Sequence, residues 1–175
     1  LTDEEVTELC NKALQLLNKS NLVLSPANFN APGQVVISGH SEALAFLKDN
    51  IKSEAFPENL RRGKLIPLQV SAPFHCSLMQ PAAESMKRFF KTITWKDTKF
   101  PICQNESASL ETAAQTLKDH LVSQVTQPVL WTSSIQNMVK AKQVDLFIEC
   151  GAGKVVTGLV KKIAPEVPVL NTHSW

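Results

Sequence analysis

The sequence predicts an α/β fold, and three observations carry that prediction. Amphipathic helical stripes alternate with short runs of β-branched and aromatic residues along the chain. One run, VDLFIEC (144–150), is almost entirely apolar, the pattern of a strand buried on both faces of a parallel sheet. Residues 1–71 follow the order α-β-β-α-β, a split β-α-β arrangement without its first strand.

Each element has a local cause. Thr2-Asp3-Glu4-Glu5 has the form of a capping box, and Val6, Leu9, Cys10, Ala13, Leu14, Leu16 and Leu17 recur at helical spacing, so a helix is expected over 3–18. NLVLSPANFN (21–30) reads as a strand, Ala31-Pro32-Gly33 as a turn, and QVVISG (34–39) as an antiparallel second strand. A helix is expected over 41–53, a loop over 55–63, and a third strand in KLIPLQVS (64–71). Beyond it come a helix over about 79–92 with Pro81 in its first turn, a short strand in FPICQN (100–105), and a helix over 109–125 begun by Ser109. Pro128 opens a further helix with Val129, Ile135, Met138 and Val139 near one face. GAGKVVTGLVKKI (151–163) turns into the next helix, and VPVLNT (167–172) is a last strand.

Composition narrows the function classes. The 175 residues are 43% hydrophobic and 19% charged, and 18 basic against 16 acidic side chains give a formal net charge of +2. That balance argues against a general nucleic-acid or membrane binder, and no apolar run approaches the ~20 residues that span a bilayer. The opening LTDEEVTELC is acidic where a signal peptide is basic, so nothing points to secretion. Cys10, Cys76, Cys103 and Cys150 are widely spaced, without metal-ligand spacing, and read as reduced, mostly buried thiols of a cytosolic protein. No metal and no cofactor is expected.

Two motifs invite a site and fail on spacing. GAGKV (151–155) is not a phosphate loop, because Ile148 stands where glycine is required and Val155 where Ser or Thr is required. A glycine turn for close packing is the preferred reading, with anion binding at the helix start the alternative. In SGHSEA (38–43), Gly39-His40-Ser41 begins a nucleophile elbow, but Ala43 replaces its second glycine. Ser41 or Ser38 is therefore expected to cap the following helix. His40, His120 and His173 have no partner pattern and read as surface or structural. His75 stands where a strand leaves its sheet, the usual place for catalytic groups in α/β folds. On residue type alone it reads more readily as a structural histidine than as a base.

Four segments, ANFNAPGQVVISGH (27–40), VSAPFHCSLMQPAAESM (70–86), QPVLWTSSIQNM (127–138) and ECGAGKVVTGLVKKI (149–163), together resemble consecutive stretches of the malonyl/acyltransferase family, the malonyl-CoA:acyl-carrier-protein transacylases. Their order and spacing fit over essentially residues 1–171. The resemblance implies a ferredoxin-like small subdomain over 1–71, lacking its first strand, and the C-terminal part of an α/β-hydrolase-like parallel-sheet subdomain over 72–175. It implies malonyl transfer from malonyl-CoA to the phosphopantetheine thiol of acyl carrier protein, in fatty acid biosynthesis in the cytoplasm, through a seryl ester. His75 matches the family's catalytic base, and Gln124 the position whose main-chain carbonyl orients it, so that the Gln124 side chain counts for less. Asn28 and Asn30 match a polar pair near the acyl pocket, with a structural Asx turn as the alternative. Phe74 matches the malonyl-selecting version of the motif, a ring that narrows the pocket. Lys87, Arg88 and Lys91 form a basic cluster that could meet an acidic carrier protein, although a solvated helix face is the preferred account.

The departures are specific. The family's G-H-S-L-G elbow, its malonyl-binding arginine and its oxyanion-hole glutamine do not occur in these 175 residues and belong upstream of Leu1. The missing N-terminal half of the enzyme is thus an expected partner, and the chain alone is expected to be inactive. Ala152 replaces a usual proline, and His173-Ser174-Trp175 is an atypical end. A polyketide-synthase acyltransferase domain, a non-catalytic ferredoxin-like binding module and a conventional esterase are the other readings.

Overall fold

Helix α1 (Asp3–Leu17) starts as its sequence dictates: Glu5 N donates to Thr2 Oγ1 at 3.2 Å and Thr2 N to Glu5 Oε2 at 2.9 Å, a complete capping box. The computed structural model describes residues 1–141 and 144–172. Val6, Leu9, Cys10 and Ala13 form the buried stripe of α1, packed on β1 (Leu24–Ala31), β2 (Gln34–Gly39) and α2 (Ser41–Asn50). The hairpin is antiparallel with two register shifts, and Ala31 pairs with Gln34 across the Pro32-Gly33 turn. Gly39 is obligatory at its end, because a Cβ there would lie 2.2 Å from the Val23 carbonyl oxygen.

The stretch 55–63 is not plain loop. Phe56 and Leu60 are fully buried beside Leu47, and α3 (Glu58–Arg61) brings them into the core around α1. Glu5 then holds Arg62 through two bonds of 2.7 and 2.9 Å, fastening this segment to the first turn of α1.

KLIPLQVS does not form the expected strand. A strand is made by pairing, and no described strand pairs with residues 64–71. Their alternation survives as Ile66, Leu68 and Val70, which are 68%, 58% and 65% exposed.

A 3-10 turn (Ser77–Met79) leads into α4 (Gln80–Phe90), with Pro81 in its first turn. Lys87, Arg88 and Lys91 are exposed at its C-terminal end, where basic charge suits the helix dipole. β3 (Ile102–Cys103) pairs antiparallel with β4 (Leu110–Glu111). That pairing takes residues the sequence pattern assigned to the next helix, so α5 runs Ala114–Ser123 and begins after Ala113, not at Ser109. The Ala114 N–H is held by Asp97 Oδ1 at 2.8 Å.

α6 (Trp131–Lys140) likewise starts late. Val129 lies outside it, in a parallel bridge to Asn28 of β1. Ile135 and, on α7 (Val155–Ile163), Val160 centre a second core, with Met138, Val139 and Trp131 packed against it. β5 (Phe147–Glu149) pairs in parallel with β6 (Val169–Asn171). The parallel pairing is as expected, but β5 is not buried on both faces, for Leu146, Ile148 and Leu170 are exposed. In this chain β5 has one neighbouring strand among the described residues and no layer over that face. No helix of the described residues is long and apolar enough to cross a membrane.

The two kinds of apolar residue differ in what they contribute. In this chain Leu47→Ala is expected to cost about 2–5 kcal/mol of stability, whereas Ile66→Ala stays within about 0.5 kcal/mol. Denaturant unfolding of both variants measures the contrast.

Candidate functional site

Backbone geometry fixes His75 before its ring does anything. Phe74 N donates to Ala72 O at 3.0 Å, and His75 sits at φ 59°, in the left-handed region. For a residue with a Cβ that conformation costs roughly 1–2 kcal/mol, so the neighbours must hold it. Cys76 does so: it is buried, its Sγ–H donates to Pro73 O at 3.2 Å, and Ser38 Oγ of β2 donates to Cys76 Sγ at 3.8 Å. The expected strand leading into His75 is absent, and this braced turn holds it instead.

The ring is half-buried, with Nδ1 2.7 Å from the Gln124 main-chain oxygen. A carbonyl oxygen only accepts, so Nδ1 carries the proton and donates it. The Nε2 lone pair is then left free, and among the described residues Nε2 has no hydrogen-bond partner. A histidine locked in that tautomer can take a proton at Nε2 and pass it on.

Gln124 is the C-cap of α5, where the last carbonyls of a helix lack intrahelical donors. The donor four residues on would be residue 128, which is proline and has no N–H. The Gln127 N–H turns instead to Ser123 O at 3.1 Å. Pro128 thereby leaves the Gln124 oxygen open for the imidazole. The segment beyond is pinned to β1, with Phe29 N donating to Val129 O and Val129 N to Ala27 O, both at 2.8 Å. The Gln124 side chain is not idle, since its Oε1 accepts from Asn105 Nδ2 at 2.8 Å. Sequence reading missed Asn105, which lies 19 residues from its partner, and read Pro128 only as a helix start, although its missing N–H is the one signal there of an open Gln124 oxygen.

Asn28 and Asn30 are half-buried on β1, and neither side-chain amide has a hydrogen-bond partner among the described residues, so neither makes an Asx turn. Asn28 lies on the bridge that joins β1 to the segment after Gln124. Phe74 is 47% exposed next to His75.

Two other histidines, His40 and His120, are engaged structurally. His40 is itself the N-cap of α2, and neither Ser41 nor Ser38 supplies a capping bond; Ser38 is buried and spent on Cys76. His40 Nδ1 accepts from Val23 N at 2.9 Å, fixing the hairpin's end. His120 has a partner after all, for its Nδ1 lies 2.5 Å from Glu106 Oε1. His173 lies outside the described residues. All four cysteines are free; burial pushes the Cys10 thiol up to about 12, while Cys150 is exposed. Among the described residues no group of three or more His, Cys, Asp or Glu side chains could hold a metal.

The GAGK turn has a different purpose from the expected one. Gly151 and Gly153 have φ of 133° and 92°, and a Cβ on either would meet nothing within 4 Å. Conformation requires these glycines, not close packing. The start of α7 already holds an anion, the carboxylate of Glu149. It accepts from Val156 N at 3.1 Å, Thr157 N at 2.9 Å, Thr157 Oγ1 at 2.6 Å and Asn171 Nδ2 at 2.9 Å. The Thr157 hydroxyl leads these donors in holding the Glu149 carboxyl down at about 2, against an ordinary value of 4.5. An external phosphate would have to displace it.

No protein-family model matches the chain. A malonyl CoA-acyl carrier protein transacylase of Staphylococcus aureus (strain COL) is 37% identical over 171 residues, 98% of this chain and 52% of that protein. The chain is thus similar to malonyl CoA-acyl carrier protein transacylases over nearly its whole length. It spans about half the length of the curated relatives it matches and corresponds to their C-terminal part. The crystal structure of a malonyl CoA-acyl carrier protein transacylase from Clostridium perfringens Atcc 13124 superposes with a TM-score of 0.85 at 37% identity, covering 98% of this chain and 50% of that one. A malonyl-transacylase solved in complex with a type II PKS acyl-carrier protein superposes with a TM-score of 0.83 at 30% identity, covering 98% and 52%. These transacylase neighbours share the chain's α/β content.

Acid titration tests the Glu149 cap. Its proton affinity is lower in the folded state, as is that of Glu5, which Arg62 holds down to about 2. The stabilisation from each is complete above the ordinary value of 4.5 and is lost as pH falls toward about 2. In Glu149→Gln the unfolding midpoint should fall less steeply over that window than in the parent, leaving the share from Glu5.

Proposed function

We propose that this chain is the histidine-bearing part of a malonyl-CoA:acyl-carrier-protein transacylase that acts in fatty acid biosynthesis in the cytoplasm. The observation that carries the reading is the bond from His75 Nδ1 to the Gln124 oxygen, which leaves Nε2 as the acceptor. In the first half-reaction a serine hydroxyl attacks the thioester carbon of malonyl-CoA while its proton passes to His75 Nε2. The C–S bond breaks, the proton moves to the departing CoA sulfur, and malonyl is left as a seryl ester. In the second, the phosphopantetheine thiol of acyl carrier protein gives its proton to Nε2 and attacks that ester. The proton then returns to the serine oxygen, and malonyl leaves on the carrier.

That serine is not among these 175 residues in a G-x-S-x-G setting, and we assign it to the N-terminal half of the same enzyme. Two exposed apolar rows, Ile66 with Leu68 and Val70, and Leu146 with Ile148 and Leu170, support a partner polypeptide of that kind. In this reading residues 1–71 are the ferredoxin-like subdomain and 72–175 part of the hydrolase-like one, each around one of the two cores. Asn28, Asn30 and Phe74 line the acyl pocket, with Phe74 excluding branched acyl groups by about 1–3 kcal/mol. A carrier protein from polyketide synthesis is a second reading, favoured by the 30% identical malonyl-transacylase bound to a type II PKS acyl-carrier protein.

His75→Ala in the complete protein is the test. Malonyl transfer should fall about 10²–10⁴-fold, measured by mass spectrometry of the carrier protein, with the melting temperature held. Unaltered transfer would remove His75 as the base. The 175-residue chain by itself should transfer nothing, and turnover by it would overturn the assignment of the serine to other polypeptide.

A further inference from the structure

We infer that Asn105 is a positioning residue for the proton transfer, acting through Gln124; this rests on the acyl-transfer reading of His75. The Gln124 oxygen sits just past the end of α5, where the helix ladder no longer fixes it. Because Pro128 supplies no N–H, nothing in the ladder competes for that oxygen, and the helix holds its peptide from one side only, through Gln124 N to His120 O at 2.9 Å and Val125 N to Val122 O at 3.3 Å. Further restraint on the far side has to come from outside the helix.

Asn105 supplies that restraint. Its Nδ2 donates to Gln124 Oε1 at 2.8 Å, and its own carbonyl accepts from Leu130 N at 2.6 Å. One residue thus grips the chain on both sides of the Gln124–Pro128 link. Asn105 is itself mounted on a braced connection between β3 and β4. There Gln104 N donates to Ser109 O at 2.8 Å, Ala108 N to Gln104 O at 2.9 Å, and Asn137 Nδ2 of α6 to Ala108 O at 3.0 Å. The order of constraint is hairpin, Asn105, Gln124 amide, Gln124 carbonyl, His75 Nδ1. Loosening the second link lets the carbonyl swing and the imidazole turn with it.

The experiment uses the complete enzyme with malonyl-CoA and acyl carrier protein. Asn105→Ala should lower kcat roughly tenfold to a hundredfold, in the range of partners that hold a functional group's orienter, with KM for malonyl-CoA unchanged. Gln124→Ala, which cuts the same bond from the other side, should cost as much, and the double variant no more than either alone. Asn105→Asp should recover most of the rate, because the Gln124 amide can turn over and donate its Nε2 to the carboxylate. A kcat equal to the parent's in Asn105→Ala overturns the inference, as do fully additive losses in the double variant. If Asn105→Ala melts early, Asn105→Asp decides: parental stability with no recovered rate also overturns it. His75→Ala with unaltered transfer would instead defeat the underlying reading, so the two failures are distinguishable.

Discussion

The bond between the His75 ring and the Gln124 main-chain oxygen is the constraint on which the site depends. It ties the turn after residue 71 to the end of α5, two segments 49 residues apart, and it decides which ring nitrogen carries a proton. A carboxylate could orient an imidazole too, but would bring a full charge; a carbonyl at a helix C-terminus offers a fixed partial negative charge and no proton of its own. Around this bond the chain spends three structural devices. A left-handed histidine is braced by Cys76 and Ser38, a proline withholds the competing N–H, and β1 anchors the segment that follows.

Elements governed by local chemistry were legible in the sequence. The capping box of α1, the Pro32-Gly33 hairpin and the Pro81 helix start need only near neighbours, and each formed as its residues specify. Elements governed by pairing were legible only in part: the β1–β2 and β5–β6 pairs formed as expected, and others did not. KLIPLQVS has a strand's alternation but no strand beside it, while Leu110-Glu111 has a helix-start pattern yet pairs with β3 because an edge is there. Val129 was drawn out of a helix by the same force, since β1 offered it two backbone bonds. Resemblance pointed to His75, Gln124, Asn28, Asn30 and Phe74; the Asn105 contact and the Glu149 cap arise from folding and leave no short-range mark.

The glycine turn before α7 shows how a motif can carry the right physics for an unexpected purpose. A helix start with free N–H groups favours an anion, and the anion here is the chain's own Glu149. That carboxylate links the end of β5, the start of α7 and Asn171 of β6, and so closes the smaller core from one side. The opposite side, along Leu146, Ile148 and Leu170, is uncovered in this chain.

The tautomer of His75 is the most direct test of the whole account. In the complete protein, ¹⁵N-resolved NMR of the imidazole at a pH where the ring is neutral reads which nitrogen bears the hydrogen. A proton on Nδ1 with a bare Nε2 is the predicted result. A ring carrying its proton mainly on Nε2 would mean that the Gln124 oxygen does not hold it, and the proposed route for the serine proton would be contradicted.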